Sequence, residues 1–240
     1  AVSGDWWRDA FGAGYAEVYA HRDDASAAAE VAGLLPRLRA APGPVLDAGC
    51  GNGRHLAALR QAGIAAYGFD FSRAQLESAR ERPSIAGRLA CADLRAPPLA
   101  DAAWGAVVLL FTGFGYFSDA ENAATLARLA RLLAPGGWLV VDQPDPEHVR
   151  RTLVARSERR LEDGTVVIER RSLTGHRVEK EVEIVCAGAT RTWRESVRLY
   201  DDTEMRELAR DCGLEPVERW GCVTGAEKSS ARHVHWLQRR

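Results

Sequence analysis

The chain has 240 residues, enough for one large domain or one domain with a sizeable insertion. Its residues are 46% hydrophobic and 27% charged, as in an ordinary globular protein, and 32 Lys and Arg against 33 Asp and Glu leave a net charge of -1. That balance argues against a general attraction to nucleic acid or an anionic membrane, and no apolar run nears the roughly 18–20 residues that span a bilayer. The five cysteines are widely spaced, with no C-x-x-C pair, so neither a disulfide framework nor a zinc knuckle is indicated. With no secretory-signal pattern in view, the expectation is a cytoplasmic protein with free thiols. Its heavy use of Ala and Arg suggests a bacterial source.

Asp5 to Ala20 carries aromatic and aliphatic residues at helical spacing (Trp6 or Trp7, Phe11, Tyr15, Val18, Tyr19) and predicts an amphipathic helix. A second helix is expected from about Ser26 toward Arg39, ended or kinked by Pro36. From Val45 strands and helices alternate. Strands are predicted at Val45–Ala48, Ala65–Phe69, about Arg88–Ala92, Trp104–Phe111 and Trp138–Asp142. Helices fall between them at about Arg54–Ala62, from the Ser72 N-cap to about Glu81, and at about Asp119–Leu133. Such alternation predicts a parallel sheet with helices on both faces.

Near His148 the texture changes to period-two segments over Val154–Tyr200, separated by turns at Asp163-Gly164, Thr174-Gly175 and Ala187-Gly188. This predicts an antiparallel meander with one wet face. A helix at Asp202–Cys212 and strands at Glu215–Gly221 and Ala231–Gln238 then return to the first style. The fold class expected is α/β: a Rossmann-like, mostly parallel, seven-stranded sheet with helices on both faces and an inserted antiparallel β-meander. The domain reading is a helical lid at 1–43, the Rossmann-like domain at 44–148 and 201–240, and the insertion at 149–200.

The stretch Val45-Leu46-Asp47-Ala48-Gly49-Cys50-Gly51-Asn52-Gly53-Arg54-His55 reads as a strand, a side-chain-poor turn and a helix start, a place where a ligand touches backbone. Its G-x-G-x-G spacing fits the dinucleotide fingerprint G-x-G-x-x-G poorly. An acid at Asp47 would repel a pyrophosphate but welcome a ligand bearing an ammonium and a sulfonium. Asp70 ends the second strand, where it suits a ribose diol. Asp93 ends the third, where it can accept from an adenine amino group beside the Leu94 backbone. All three acids fall on the carboxyl edge of the sheet, where open α/β folds bind ligands.

These segments resemble class I S-adenosylmethionine-dependent methyltransferases. VLDAGCGNGRH is similar to the family's first motif, GFDFS to its second-strand acid and CADL to its adenine motif. WGAVVLLFTGFGYF and LLAPGGWLVVD resemble its fourth and fifth strands. The resemblance implies S-adenosylmethionine as cofactor and S-adenosylhomocysteine as product. It implies Asp47, Gly49, Cys50, Gly51 and Gly53 around the methionine part, and Asp70 on the ribose. Phe71 would sit beside the adenine, Asp93 and Leu94 at its edge, and Phe111 near the methionine end. Within the family the texture is similar to small-molecule enzymes, including the amino-sugar N-methyltransferases. In those a catalytic histidine is associated with the loop after the fourth strand; here Tyr116 stands in the matching place.

Tyr116 is therefore the candidate catalytic and acceptor-binding residue, with Tyr19, Arg198 and Tyr200 as further acceptor contacts. Tyr15 would close over the methionine moiety. His55 is read as structural, His148 as a lesser alternative base, and His233 with His235 as a remote metal candidate without a supporting acid or cysteine cluster. The arginines of the meander are mixed with glutamates, which predicts a salt-bridged wet face and no nucleic-acid groove. The partner expected is a small-molecule acceptor, with no nucleic acid and no membrane, and the meander is expected to roof the acceptor site or to build a homodimer interface. An RNA methyltransferase, a nicotinamide dehydrogenase and a non-catalytic cofactor-binding protein are the rival readings.

Overall fold

The short apolar runs, each bounded by glycine, proline or an acid, form the strands as the alternation requires. The structure, a computed structural model, describes residues 6–11, 23–186, 188–225 and 231–240. The strands are β1 (Val45–Ala48), β2 (Ala66–Asp70), β3 (Leu89–Cys91), β4 (Trp104–Leu109), β5 (Leu133–Pro144), β6 (Arg156–Arg160), β7 (Val166–Thr174), β8 (Arg177–Cys186), β9 (Ala189–Arg198), β10 (Leu214–Trp220) and β11 (Arg232–Arg239). The helices are α1 (Trp6–Ala10), α2 (Asp24–Leu38), α3 (Arg54–Gln61), α4 (Arg73–Arg80), α5 (Asp119–Leu132), α6 (Pro146–Thr152) and α7 (Asp202–Asp211).

Seven strands form one sheet in the order β10-β11-β5-β4-β1-β2-β3, and β6-β7-β8-β9 form a separate antiparallel sheet. In the large sheet β11 runs antiparallel to both neighbours, and the other pairings are parallel. This is the expected mostly parallel architecture with its inserted meander. β1 lies between β2 and β4, so the direction of winding reverses there and opens a crevice at the strand ends.

Strand periodicity divides the core into two layers. Val45, Ala106, Val108 and Val140 pack with α2 and α3 on one face, while Leu46, Val107, Leu109 and Val141 pack with α5 and α7 on the other. A third cluster joins Trp6, Trp7 and Ala10 of α1 to Phe117 and to Val167, Val182, Ile184, Trp193 and Val197 of the small sheet. The small sheet thus packs its apolar face on α1 and Phe117.

Three boundaries differ from expectation. Pro36 does not end α2, which continues to Leu38 and begins at Asp24 behind an Asp23 N-cap. A proline in the last turn forfeits one backbone hydrogen bond without stopping the helix. β5 starts at Leu133, before the Pro-Gly-Gly turn, with a register shift against β4. β4 stops at Leu109 because Phe111 and Thr112 both take left-handed backbone, with φ of 58° and 67°. The residues of the predicted first helix beyond Phe11, with Tyr15 and Tyr19, lie outside the described residues.

Candidate active site

A cavity of about 270 Å³ opens at the ends of β1, β2 and β4. Its floor is the glycine loop. Gly49 N and Cys50 N donate to the Phe69 carbonyl at 2.8 and 2.9 Å, and Gly51 N donates to Asp70 Oδ2 at 2.9 Å. Gly49 and Gly51 adopt φ of 74° and 52°. No heavy atom lies within 4 Å of a Cβ built on Gly49, so a side chain there would fill the cradle. Gly53 serves otherwise: a Cβ would stand 2.5 Å from Ile85 Cδ1 and 3.2 Å from Ala79 Cβ. It is the glycine that lets α3 close onto α4, and it is not part of the cavity wall.

The three acids occupy distinct environments. Asp70 lies in the wall, with Oδ1 accepting from Ser72 N at 2.8 Å and Oδ2 from Gly51 N. Burial raises its pKa against those backbone donors. Asp93 is in the wall but half-exposed and gripped by Arg95, whose Nη2 donates to Oδ2 at 2.8 Å. That guanidinium holds Asp93 below the usual carboxylate range. Asp47 is buried and outside the wall. Strand alternation turns it toward α3, under the His55 and Leu56 backbone, and burial pushes its pKa up to about 6 while His55 and Arg54 pull it down. Asp47 therefore acts from beneath the loop and not from its mouth.

Phe71, Leu94, Cys50 and Phe111 are also in the wall. Phe111 is held by Asp142, whose Oδ2 accepts from Phe111 N at 2.7 Å and whose Oδ1 accepts from Arg232 Nε at 2.5 Å. The guanidinium carbons of Arg54 and Arg232 lie 5.2 and 5.0 Å from the Phe111 ring centre. Two consecutive left-handed residues cost about 1–2 kcal/mol each, and this bracket maintains them at the cavity's edge. The wall also takes in Asn52, Arg54, His55 and Gln75. His55 Nε2 contacts Glu30 Oε2 at 2.5 Å and Arg54 Nη1 reaches the same oxygen at 3.2 Å. Burial raises the Glu30 pKa, but the contacts to His55 and Arg54 outweigh it and the net shift is downward.

Opposite the loop the wall is aromatic: Trp7, Phe11, Tyr116 and Phe117. Trp7 meets Phe71 edge-on at 4.5 Å, and the Tyr116 ring lies 5.5 Å from both Trp6 and Phe11. The Tyr116 hydroxyl donates to the Thr112 carbonyl. Arg198 and Tyr200 are not in the wall. Arg198 is buried behind the loop, paired with Glu204 at 2.6 Å and stacked 4.4 Å from the Tyr200 ring. Its backbone N–H supports the Gly115 carbonyl at 2.8 Å, so it reaches the cavity only through that loop. His148 is likewise outside the wall. His233 and His235 meet edge-on at 5.7 Å, and burial lowers both pKa values, His235 to about 3. Among the described residues no group of three or more His, Cys, Asp or Glu is placed to hold a metal.

Asp70 and Asp93 are marked in the sequence as strand-end acids; Asp142, which closes the predicted fifth strand, is not, and in the structure β5 runs two residues past it. Trp7 and Phe11 were legible only as a helix face. No local signal marks Arg54 or Arg232.

The sequence model of the family described as "Methyltransferase domain" matches residues 45–137, the span that builds the glycine loop, the strand-end acids and the loop after β4. Over that span the chain is similar to methyltransferase domains. The sugar N-methyltransferase KedS8 from Streptoalloteichus sp is similar at 26% identity, covering 100% of this chain and 96% of that one with a TM-score of 0.74. The CcbJ methyltransferase from Streptomyces caelestis shares the fold at a TM-score of 0.80 and 23% identity, covering 97% and 98% of the two chains. The trans-aconitate 2-methyltransferase of Methylobacterium nodulans is 40% identical over 119 residues, 48% of this chain and 43% of that protein. The chain spans about half the length of the curated relatives it matches, between 43% and 49%. The open cradle at Gly49, the carboxylate of Asp70 in the cavity wall and the aromatic Phe71 fit the methionine, ribose and adenine parts of S-adenosylmethionine.

Proposed function

We propose that this chain transfers the methyl group of S-adenosylmethionine to a nitrogen or oxygen of a small-molecule acceptor, an amine being the better fit. The cofactor supplies a methyl group activated on a sulfonium. In this reading Gly49, Cys50, Gly51 and Asn52 bear the methionine part, Asp70 orders the ribose, and Phe71, Asp93 and Leu94 receive the adenine. Asp47 sets a negative field beneath them. The observation that carries the acceptor reading is the aromatic wall of Phe11, Tyr116 and Phe117, in which the Tyr116 hydroxyl already gives its proton to the Thr112 carbonyl. A neutral amine attacks through its lone pair and needs no general base. A dry aromatic wall favours that neutral form, because desolvation penalises the ammonium. Tyr116 then shapes and orients and does not deprotonate. The likeness to a sugar N-methyltransferase over the whole chain supports the same choice.

The test is S-adenosylhomocysteine formation by the purified chain with S-adenosylmethionine and three panels: amino sugars and other small amines, polycarboxylic acids, and bulk tRNA. Turnover with a small amine is expected. Turnover confined to tRNA, or tight cofactor binding with no turnover on any panel, would overturn the proposal. Asp70→Ala is expected to weaken S-adenosylhomocysteine binding by about 100-fold or more, since it removes the ribose acceptor and the partner of Gly51 N together.

A further inference from the structure

The loop from Gly113 to Phe117 has no regular secondary structure, so its carbonyls find partners outside a helix or strand ladder: Arg198 N on Gly115, Trp6 Nε1 on Tyr116 and Asn122 Nδ2 on Phe117. Arg177, the first residue of β8 and the register partner of Arg198, is the one side chain that reaches all three of these carbonyls among the described residues. Its Nη1 donates to the Phe117 carbonyl at 3.0 Å, and Nη2 lies 3.3 Å from the carbonyls of both Gly115 and Tyr116. The same guanidinium is fixed to its own sheet, Nη2 to the Ser196 carbonyl and Nε to Ser196 Oγ, each at 2.8 Å. Gly115 makes the approach possible, for at φ 98° a Cβ there would stand 2.4 Å from the Arg198 carbonyl oxygen. One side chain of the small sheet therefore spans three consecutive carbonyls of the segment that places Tyr116 and Phe117 in the cavity wall. Among the described residues, no hydrogen bond of Arg177 goes to the glycine loop, Asp70 or Asp93.

We propose that Arg177 is a positioning residue for the acceptor side, acting through the loop after β4 and leaving the donor side untouched. This rests on the reading of the aromatic wall as the acceptor's. The arrangement needs a planar fork; a lysine ammonium at the same place reaches fewer of the carbonyls at once. The small sheet thereby sets the shape of that wall.

Arg177→Met and Arg177→Lys test the proposal in the full chain through three measurements. S-adenosylhomocysteine affinity by calorimetry is expected to stay within about twofold of the parent, because additivity holds for sites without shared partners. Amide exchange at Phe117, which donates to Asn122 Oδ1 at 3.2 Å, and at Arg198 is expected to quicken about tenfold in the Met variant, with the Lys variant between. The KM for whichever small amine the acceptor panel identifies is expected to rise about tenfold with little change in the KM for S-adenosylmethionine. Unchanged exchange in both variants overturns the proposal, as does a loss of S-adenosylhomocysteine affinity equal to the rise in acceptor KM. If the parent protein methylates no small acceptor, the reading of the wall fails on its own, while exchange at Phe117 and Arg198 still decides whether Arg177 holds the loop.

Discussion

The two sides of the cavity are built by different means. On the donor side, backbone groups of the glycine loop bond to the end of β2, about one strand-helix-strand unit away in sequence, as when Gly51 N meets Asp70 across 19 residues. On the other side, side chains bridge distant segments: Arg177 reaches the Tyr116 carbonyl across 61 residues and Trp6 Nε1 reaches it across 110. A site made from backbone and one supersecondary unit tolerates few sequences and leaves a motif. A site made from long-range side-chain clamps leaves none, because many residue pairs could do the same work.

The sharpest way to break that contrast is to substitute two glycines of the same motif. Gly53→Ala puts a Cβ 2.5 Å from Ile85 Cδ1 at a φ of 75°, so overpacking and left-handed strain act together. It is expected to destabilise the fold by about 2–4 kcal/mol, read by urea denaturation. Gly49→Ala has the same sign of φ but nothing within 4 Å of the new Cβ. It should lose only about 1 kcal/mol of stability, while S-adenosylhomocysteine affinity falls about tenfold or more as the methyl occupies the cradle. Equal stability losses in the two variants would mean that the motif's glycines do not divide between ligand and packing.

That division was invisible in the sequence, where the glycines at 49, 51 and 53 read as one ligand-facing set. The strands, the sheet's direction and the meander were legible because period-two and continuous apolar runs are local signals. Asp70 and Asp93 were legible as strand-end acids, and Phe71 and Phe111 through the family resemblance, and each lines the cavity. Asp47 was legible as an acid but not in its orientation, which follows from its register in β1: it shares a face with Val45, against α3. Arg198 and Tyr200 read as pocket residues because they follow a strand that faces the site. The salt bridge to Glu204 and the close approach of Gly115 instead draw Arg198 behind the loop.

Asp47 offers a smaller and pH-dependent test of the donor side. Its pKa is raised from 3.8 to about 6, chiefly by burial. Between those values the folded chain binds the proton and the unfolded chain does not, so stability falls as pH rises through the interval and stays low above it. The full difference is about 3 kcal/mol at most, from roughly 1.4 kcal/mol per pKa unit. Asp47→Asn should flatten this dependence between pH 4 and 6 and stabilise the cofactor-free protein at pH 7.5 by about 1–3 kcal/mol. It should also remove the strengthening of S-adenosylmethionine binding expected in the parent as pH passes 6, when the carboxylate charges beneath a cationic ligand. A stability difference between pH 4.5 and 7.5 that is the same in the parent and in Asp47→Asn would show that Asp47 does not titrate in that interval.

The smallest effect is expected on the solvent-exposed ion pairs of the small sheet, away from the cavity. There Glu181 accepts from Arg170 at 3.5 Å and from Arg194 at 3.1 Å, and all three side chains are more than a third exposed. Exposed pairs of this kind contribute about 0–1 kcal/mol, because solvent screens the attraction and holding two long side chains costs entropy. Glu181→Gln should therefore change stability by about 0.5 kcal/mol or less, leave S-adenosylhomocysteine affinity unchanged, and spare the amide protection of Phe117 that Arg177 maintains from the cavity end of the sheet. The two substitutions lie in one strand, four residues apart, so a comparable loss of loop protection in both would mean that the small sheet supports the loop through its overall rigidity. A loss confined to Arg177 would mean that the support runs through a single guanidinium.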